Sequence, residues 1–398
     1  MTPTADKLWN KEYVKVMMSN FLLFFAFYLL TPLLPIYLDA QFNAEKDIIG
    51  IVLSGYVIAA LIIRPFSGFF VDCFNRKKVL MICFFTFFIC FAGYIGAGTL
   101  LMFAIVRTFH GIPFGASTVA NSTVAIDVTP SSRRNEGIGF YGLSNNLAMA
   151  IAPSVGIYLY NSTDNFSLLF WLSMFIALAG FVCSSQVRLP KREIIKYEER
   201  PKLSLDHFFL GKAWLMALNI VLFGLCWGAM SNYVAIYGQK MLGITDGTGV
   251  FFILLSSGLI ISRLFGAKAL RQGKISRNAT RGVILSSVGF ILFALSFGEI
   301  TFYLSALLIG LGNGQMYPSF LNMFIKVARN DQRGTANSSI LISWDSGMGL
   351  GILIGGFVAQ YISFYAAFWV IAVMQTLGTL LYIFATKDFF EHRRLDKV

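Results

Sequence analysis

Charge is scarce in this chain, and metal-binding chemistry is scarcer. Only 13% of its 398 residues are charged, and it has three histidines and five cysteines. The sequence contains no H-E-x-x-H helix, no G-x4-G-K-[ST] loop and no Cys/His group at metal-ligand spacing. These absences exclude a metallohydrolase and an ATP-driven pump within the chain, and they leave no metal site and no cofactor to expect. A disulfide framework is absent too. Cys83, Cys90, Cys183 and Cys226 fall in apolar stretches and Cys73 in a segment read as cytosolic, where thiols stay reduced.

What the chain has in abundance is grease. Its hydrophobic share is 56%, it carries 40 Phe, and its mean hydropathy is +0.68. Twelve apolar runs span about 17–38, 48–71, 78–98, 101–126, 137–160, 167–187, 212–234, 248–270, 281–298, 301–325, 335–358 and 364–386. Each is long enough to cross a hydrocarbon core of about 30 Å as a helix. The first run is too long, and too far behind Lys7, Lys11 and Lys15, to be a cleaved signal peptide. The expected fold is an all-α membrane protein of twelve transmembrane helices in two six-helix bundles related by pseudo-twofold symmetry.

The net charge of +12 invites a nucleic-acid reading, but its distribution excludes one. With the N-terminus in the cytosol, the external loops hold only Lys46 and Lys240 among the 32 basic residues. Arg64, Arg107 and Arg263 fall inside apolar runs, and the rest lie on the inner side. This is the positive-inside pattern, with both termini cytoplasmic in the plasma membrane. The basic excess reports topology, and the partner it implies is the lipid bilayer.

The longest polar stretch, RLPKREIIKYEERPKLSLDHFFLGK, sits at the centre. It divides an N-terminal bundle (1–187) from a C-terminal one (212–398) through a cytosolic linker (188–211). The halves echo each other. Gly68-x3-Asp72-x3-Arg76 corresponds to Gly266-x3-Leu270-x3-Lys274, and Glu136-Gly137 to Arg333-Gly334, at offsets of 198 and 197. A duplicated six-helix unit of this kind is how many secondary transporters rock about a central site.

Residues 68–80, GFFVDCFNRKKVL, resemble the loop signature between the second and third helices of the major facilitator superfamily, G-x3-D-R-x-G-R-R/K-x-x-L. Gly68, Asp72, Arg76, Lys77 and Leu80 match, while Cys73 and Asn75 depart from it. Arg107-x-x-His110-Gly111 resembles the superfamily's R-x-x-Q-G. Gly139, Ala148, Ala152, Pro153, Gly156 and Ile157 resemble its antiporter pattern G-x8-G-x3-G-P-x2-G-G, with two glycines changed to alanine and the last to isoleucine. Pro32-Leu-Leu-Pro35 and the loop from Asp127 to Gly137 are similar to the bacterial drug:proton antiporter branch, the twelve-helix efflux permeases. The resemblance implies that Asp72, beside Gly68, latches onto the start of the eleventh helix, with Arg76 and Lys77 supporting the loop. A helix N-terminus carries about half a positive charge, so an acid there is stabilised by about 0.3–1 kcal/mol.

Charges inside a bilayer cost about 2.5–3.5 kcal/mol each on the lenient insertion scale, so each marks a functional candidate. Asp345 lies near the middle of SSILISWDSGMGLGILIGG. It faces a cavity and exchanges a proton, or it pairs with a cation such as Arg107. Arg64 and Arg263, nearer the cytosolic ends, read as structural residues that reach the interface. Arg107 heads a polar stripe with His110, Gly111, Phe114, Thr118 and Asn121 at helical spacing. Arg107 suits a substrate anion or a counterion, and His110 is a second proton-coupling candidate. Softer candidates for substrate contact are Asn20, Tyr28, Asn145, Asn146, Trp227, Asn232, Asn313, Gln315, Tyr317 and Trp344. Aromatic and amide groups fit a ligand with flat apolar parts, and interhelical hydrogen bonds account for single amides equally well.

The sequence therefore reads as a monomeric secondary transporter, expelling small organic molecules in exchange for protons by alternating access. Proton-symport uptake of a sugar, organic acid or other metabolite is the alternative, with a lipid flippase on the same fold behind it.

Overall fold

The computed structural model describes residues 8–130, 134–189, 209–244, 248–271, 274–295, 298–328 and 333–395. Among them the chain is helical throughout, without strands. The elements are α1 (Lys11–Leu30), α2 (Leu34–Phe42), α3 (Lys46–Cys73), α4 (Arg76–Gly96), α5 (Leu100–Val128), α6 (Arg134–Thr163) and α7 (Phe166–Ser185). They continue with α8 (Trp214–Leu242), α9 (Thr248–Arg271), α10 (Ile275–Leu295), α11 (Glu299–Val327), α12 (Arg333–Tyr361), α13 (Phe364–Leu381) and α14 (Lys387–Arg393). Nine of the described helices are long and apolar enough to cross a membrane. The linker lies almost entirely outside the described residues.

Local chemistry sets the boundaries. Asn10, Asn75, Thr99, Asn165 and Ser363 each accept a hydrogen bond from the backbone N–H three residues on, capping α1, α4, α5, α7 and α13. Asn75, a departure from the superfamily's loop pattern, is thus the residue that starts α4. The first apolar run is two helices rather than one, because Pro32 interrupts the backbone ladder between α1 and α2. Gly243, at φ 67°, closes α8 in the left-handed conformation.

Helices α1 and α3 to α7 pack mainly among themselves, as α8 to α13 do, while α3 on α12 and α6 on α9 join the two groups. One crossing occurs twice. A Cβ on Gly111 of α5 would meet the Tyr56 carbonyl of α3 at 2.0 Å, and one on Gly310 of α11 would meet the Leu255 carbonyl of α9 at 1.9 Å. Gly115 over Ala60 and Gly314 over Leu259 repeat it, both at 2.7 Å, and each partner lies 199 positions after its counterpart. In these helices the repeat register is therefore one residue beyond the Gly68–Gly266 match. It sets Asp72 against Arg271 instead of Leu270, and neither is an acid.

The groups are joined at the end remote from the chain termini. There the Lys46 N–H donates to Gln360 Oε1 at 3.0 Å, Lys46 Nζ to the Ala359 carbonyl at 3.1 Å, and the Tyr361 hydroxyl to Asp47 at 3.0 Å. Ser154 Oγ of α6 donates to the Gly249 carbonyl of α9 at 2.8 Å, and Lys240 pairs with Asp39.

Candidate transport site

On the α3–α12 seam, in the second half of α3, two largely buried charges meet. Arg64 Nε lies 2.9 Å from Asp345 Oδ2, with the side chains 12% and 8% exposed. Asp345 pairs with Arg64 and not with Arg107, and Arg64 does not reach for an interface. The reason is tertiary: α3 and α12 pack face to face, so the nearest opposite charge ends the search before water does. The contact is an ion pair without a well-aligned hydrogen bond, since neither Arg64 Nε nor Asp345 Oδ2 has a hydrogen-bond partner. Tyr28 of α1 lies within electrostatic reach of Asp345.

Arg107 is 4% exposed, and its guanidinium carbon lies over the Tyr56 ring, 4.0 Å from the centroid, with the Phe27 ring 6.0 Å away. Its Nη1 donates to the Tyr94 hydroxyl at 3.3 Å, while its Nε is buried without a partner. Among the described residues no carboxylate pairs with it. Tyr56 lies within electrostatic reach of Arg64 as well as of Arg107.

The rest of the polar stripe on α5 is divided among neighbours. His110 is 1% exposed. Its Nδ1 bonds the Tyr94 hydroxyl at 2.9 Å, and the rings of Phe87, Phe91 and Tyr56 enclose it. Phe114 stacks on Phe27 at 4.7 Å, and Asn121 donates to Asn20 at 3.4 Å.

The amides mostly join helices or bond back along them. Asn20 donates to Ser144 at 2.8 Å and accepts from Tyr141 at 2.7 Å. Asn232 donates to the Gly228 carbonyl, Asn313 to Ile309 and Gln315 to Leu311. Asn146 is buried, and Asn145 Oδ1 is a buried acceptor without a partner. Trp344, next to Asp345, gathers Trp227 at 6.0 Å and Tyr317 at 5.2 Å into an aromatic corner.

The motif residues hold helices. Arg76 donates to Asp127 at 2.6 Å, and Lys77 donates to the Ser184 and Val187 carbonyls at the end of α7. Both therefore tie α4 to α5 and α7. Ala152 is fully buried beside Pro153, and a Cβ on Gly156 would meet the Leu29 carbonyl at 2.3 Å. The side chains of Gly68, Asp72 and Gly139 lie outside the described residues. Sequence reasoning missed Arg64 as the partner of Asp345. The available signal was the pairing of α3 with α12 in a duplicated unit.

Two groups of apolar helices thus meet around an ion pair on their seam, an arrangement that suits a membrane transporter. The Major Facilitator Superfamily profile matches residues 16–351 and 279–395, and the chain belongs to that family. The staphylopine export protein of Staphylococcus aureus (strain Mu50 / ATCC 700699) is 25% identical over 337 residues, covering 81% of this chain and 83% of the relative. The quinolone resistance protein NorA of Staphylococcus aureus (strain MRSA252) is 20% identical, covering 87% and 89%. Among solved structures, the peptide transporter POT in complex with sulfate aligns with a TM-score of 0.81 at 14% identity over 96% of each chain. The human organic anion transporter MFSD10 aligns at 0.71 and 16% identity over 94% of this chain and 100% of that one.

Proposed function

We propose that this transporter exports a small organic molecule from the cytosol in exchange for protons, as a monomer in the plasma membrane with both termini cytoplasmic. The observation that carries the reading is the Arg64–Asp345 pair, buried between the two groups of helices. A carboxylate there alternates between pairing with Arg64 and holding a proton. The neutral acid no longer binds the guanidinium, so protonation loosens α3 from α12 and permits rearrangement. Relatives named for export and drug resistance support the outward direction.

With the termini in the cytosol, the end joined by Lys46, Asp47 and Gln360 faces outside, and the arrangement is closed outward. Opening it requires a seal at the opposite end, the role we assign to Asp72 at the start of α12. Substrate enters from the cytosol between the two groups and meets Asp345, Arg64 and the Trp227–Trp344–Tyr317 corner. His110, enclosed by aromatic rings, takes the secondary part of holding Tyr94 beside Arg107.

Proteoliposomes with an imposed pH gradient test the coupling. Asp345→Asn is expected to fold and insert but to lose gradient-driven movement of solute and the accompanying proton flux. Driven flux near the wild-type rate would remove Asp345 from the coupling role.

A further inference from the structure

The buried charges around Asp345 and Arg107 do not balance. Among the described residues, Arg64 pairs with Asp345 across the α3–α12 contact, while Arg107, buried among α1, α3 and α4, pairs with no carboxylate. The internal repeat shows why. Positions 199 apart set Arg263 in the place of Arg64 but Asn146 in the place of Asp345, so the cation is duplicated and the acid is not. A buried cation without an acidic partner is costly in a bilayer. Stacking on Tyr56 offsets only part of that cost. Arg107 also keeps a buried Nε donor unpartnered, and Arg64 Nε faces Asp345 without a formed hydrogen bond. Asn145 Oδ1 shows that polar capacity also remains on α6.

We infer that the substrate is a flat organic anion, its carboxylate or equivalent group taken by Arg107 and then by Arg64 in place of Asp345. The guanidinium fork matches a carboxylate. Phe27, Tyr56 and Trp344 provide apolar surface for the body. An anion on Arg64 releases Asp345 from its pair, which ties substrate arrival to the group that takes the proton. This deepens the export reading and rests on it only for direction and for the proton.

The test is equilibrium binding to the purified full chain in detergent, without any gradient. Three probes share one ring system: 1-naphthoate, neutral 1-naphthamide and cationic 1-naphthylmethylamine. Naphthoate should bind at least about tenfold more tightly than the other two. Arg107→Gln and Arg64→Gln should each bring naphthoate affinity down to that of naphthamide measured on the same variant, while both ligands still bind, a pattern that general unfolding does not produce. Arg107→Lys should keep part of the preference. Preference for the amine, equal binding of all three, no binding of naphthoate, or an unchanged preference in both Gln variants would overturn the proposal. Because no proton gradient enters, a failure here leaves the flux experiment on Asp345 untouched, and the reverse also holds.

Discussion

A buried ion pair is most informative when one partner is removed. Arg64→Gln leaves Asp345 as a charge inside the protein with no counterion, and breaking a buried pair in this way costs about 3–5 kcal/mol. The Arg64→Gln/Asp345→Asn double variant removes both charges and should recover most of that loss, because neither buried group is then ionised. Thermal unfolding of the single and double variants in detergent measures the coupling, and additive losses would show that the pair does not act as a unit. The exposed Asp39–Lys240 pair, with side chains 38% and 46% exposed, behaves differently. Its removal by Lys240→Ala should shift stability by less than about 1 kcal/mol.

At the scale of helices, the glycines of the repeated crossing set how closely α5 lies on α3 and α11 on α9. A methyl group at Gly111 or Gly310 would press into a backbone carbonyl, which cannot swing aside as a side chain does. Gly111→Ala and Gly310→Ala should each destabilise by about 1–3 kcal/mol, the usual cost of overpacking. Gly96→Ala is the control, since nothing lies within 4 Å of its added Cβ. Equal melting temperatures for all three variants would mean that the crossings yield. The loop after α3 works at this scale too: Arg76 and Lys77 fasten α4 to α5 and α7, so substitutions there should loosen one group of helices rather than unbind substrate.

The whole molecule is joined at one end, and transport requires that end to part. Cysteines introduced at Lys46 and Gln360, neighbours across the seam, should cross-link under oxidation and stop transport, with reduction restoring it. Transport that survives the cross-link would mean that this end does not open. Asp72→Asn addresses the opposite end. Removing the charge should cost the closed cytosolic arrangement about 0.3–2 kcal/mol, seen as longer distances between labels at Cys73 and a cysteine at Thr335. Unchanged distances with intact transport would leave Asp72 as a topological anchor.

Composition and charge placement alone settled that the chain is an all-helical membrane protein. Apolar runs long enough to span a bilayer have no other stable form there, because every backbone group must be bonded within its own segment. The family, too, was legible in local signatures such as Asp72 to Leu80. Pairing between remote residues was not. Whether Asp345 meets Arg64 or Arg107 depends on which helix faces lie together, and both cations sit at plausible depths in sequence. The amides made the same point. Asn20, Asn121 and Asn313 read equally as substrate contacts or helix fasteners, and only the packing of α1 on α5 and α6, and of α10 on α11, gave them partners. Local pattern fixes where a side chain sits along its helix, and only the assembled bundle fixes what it meets.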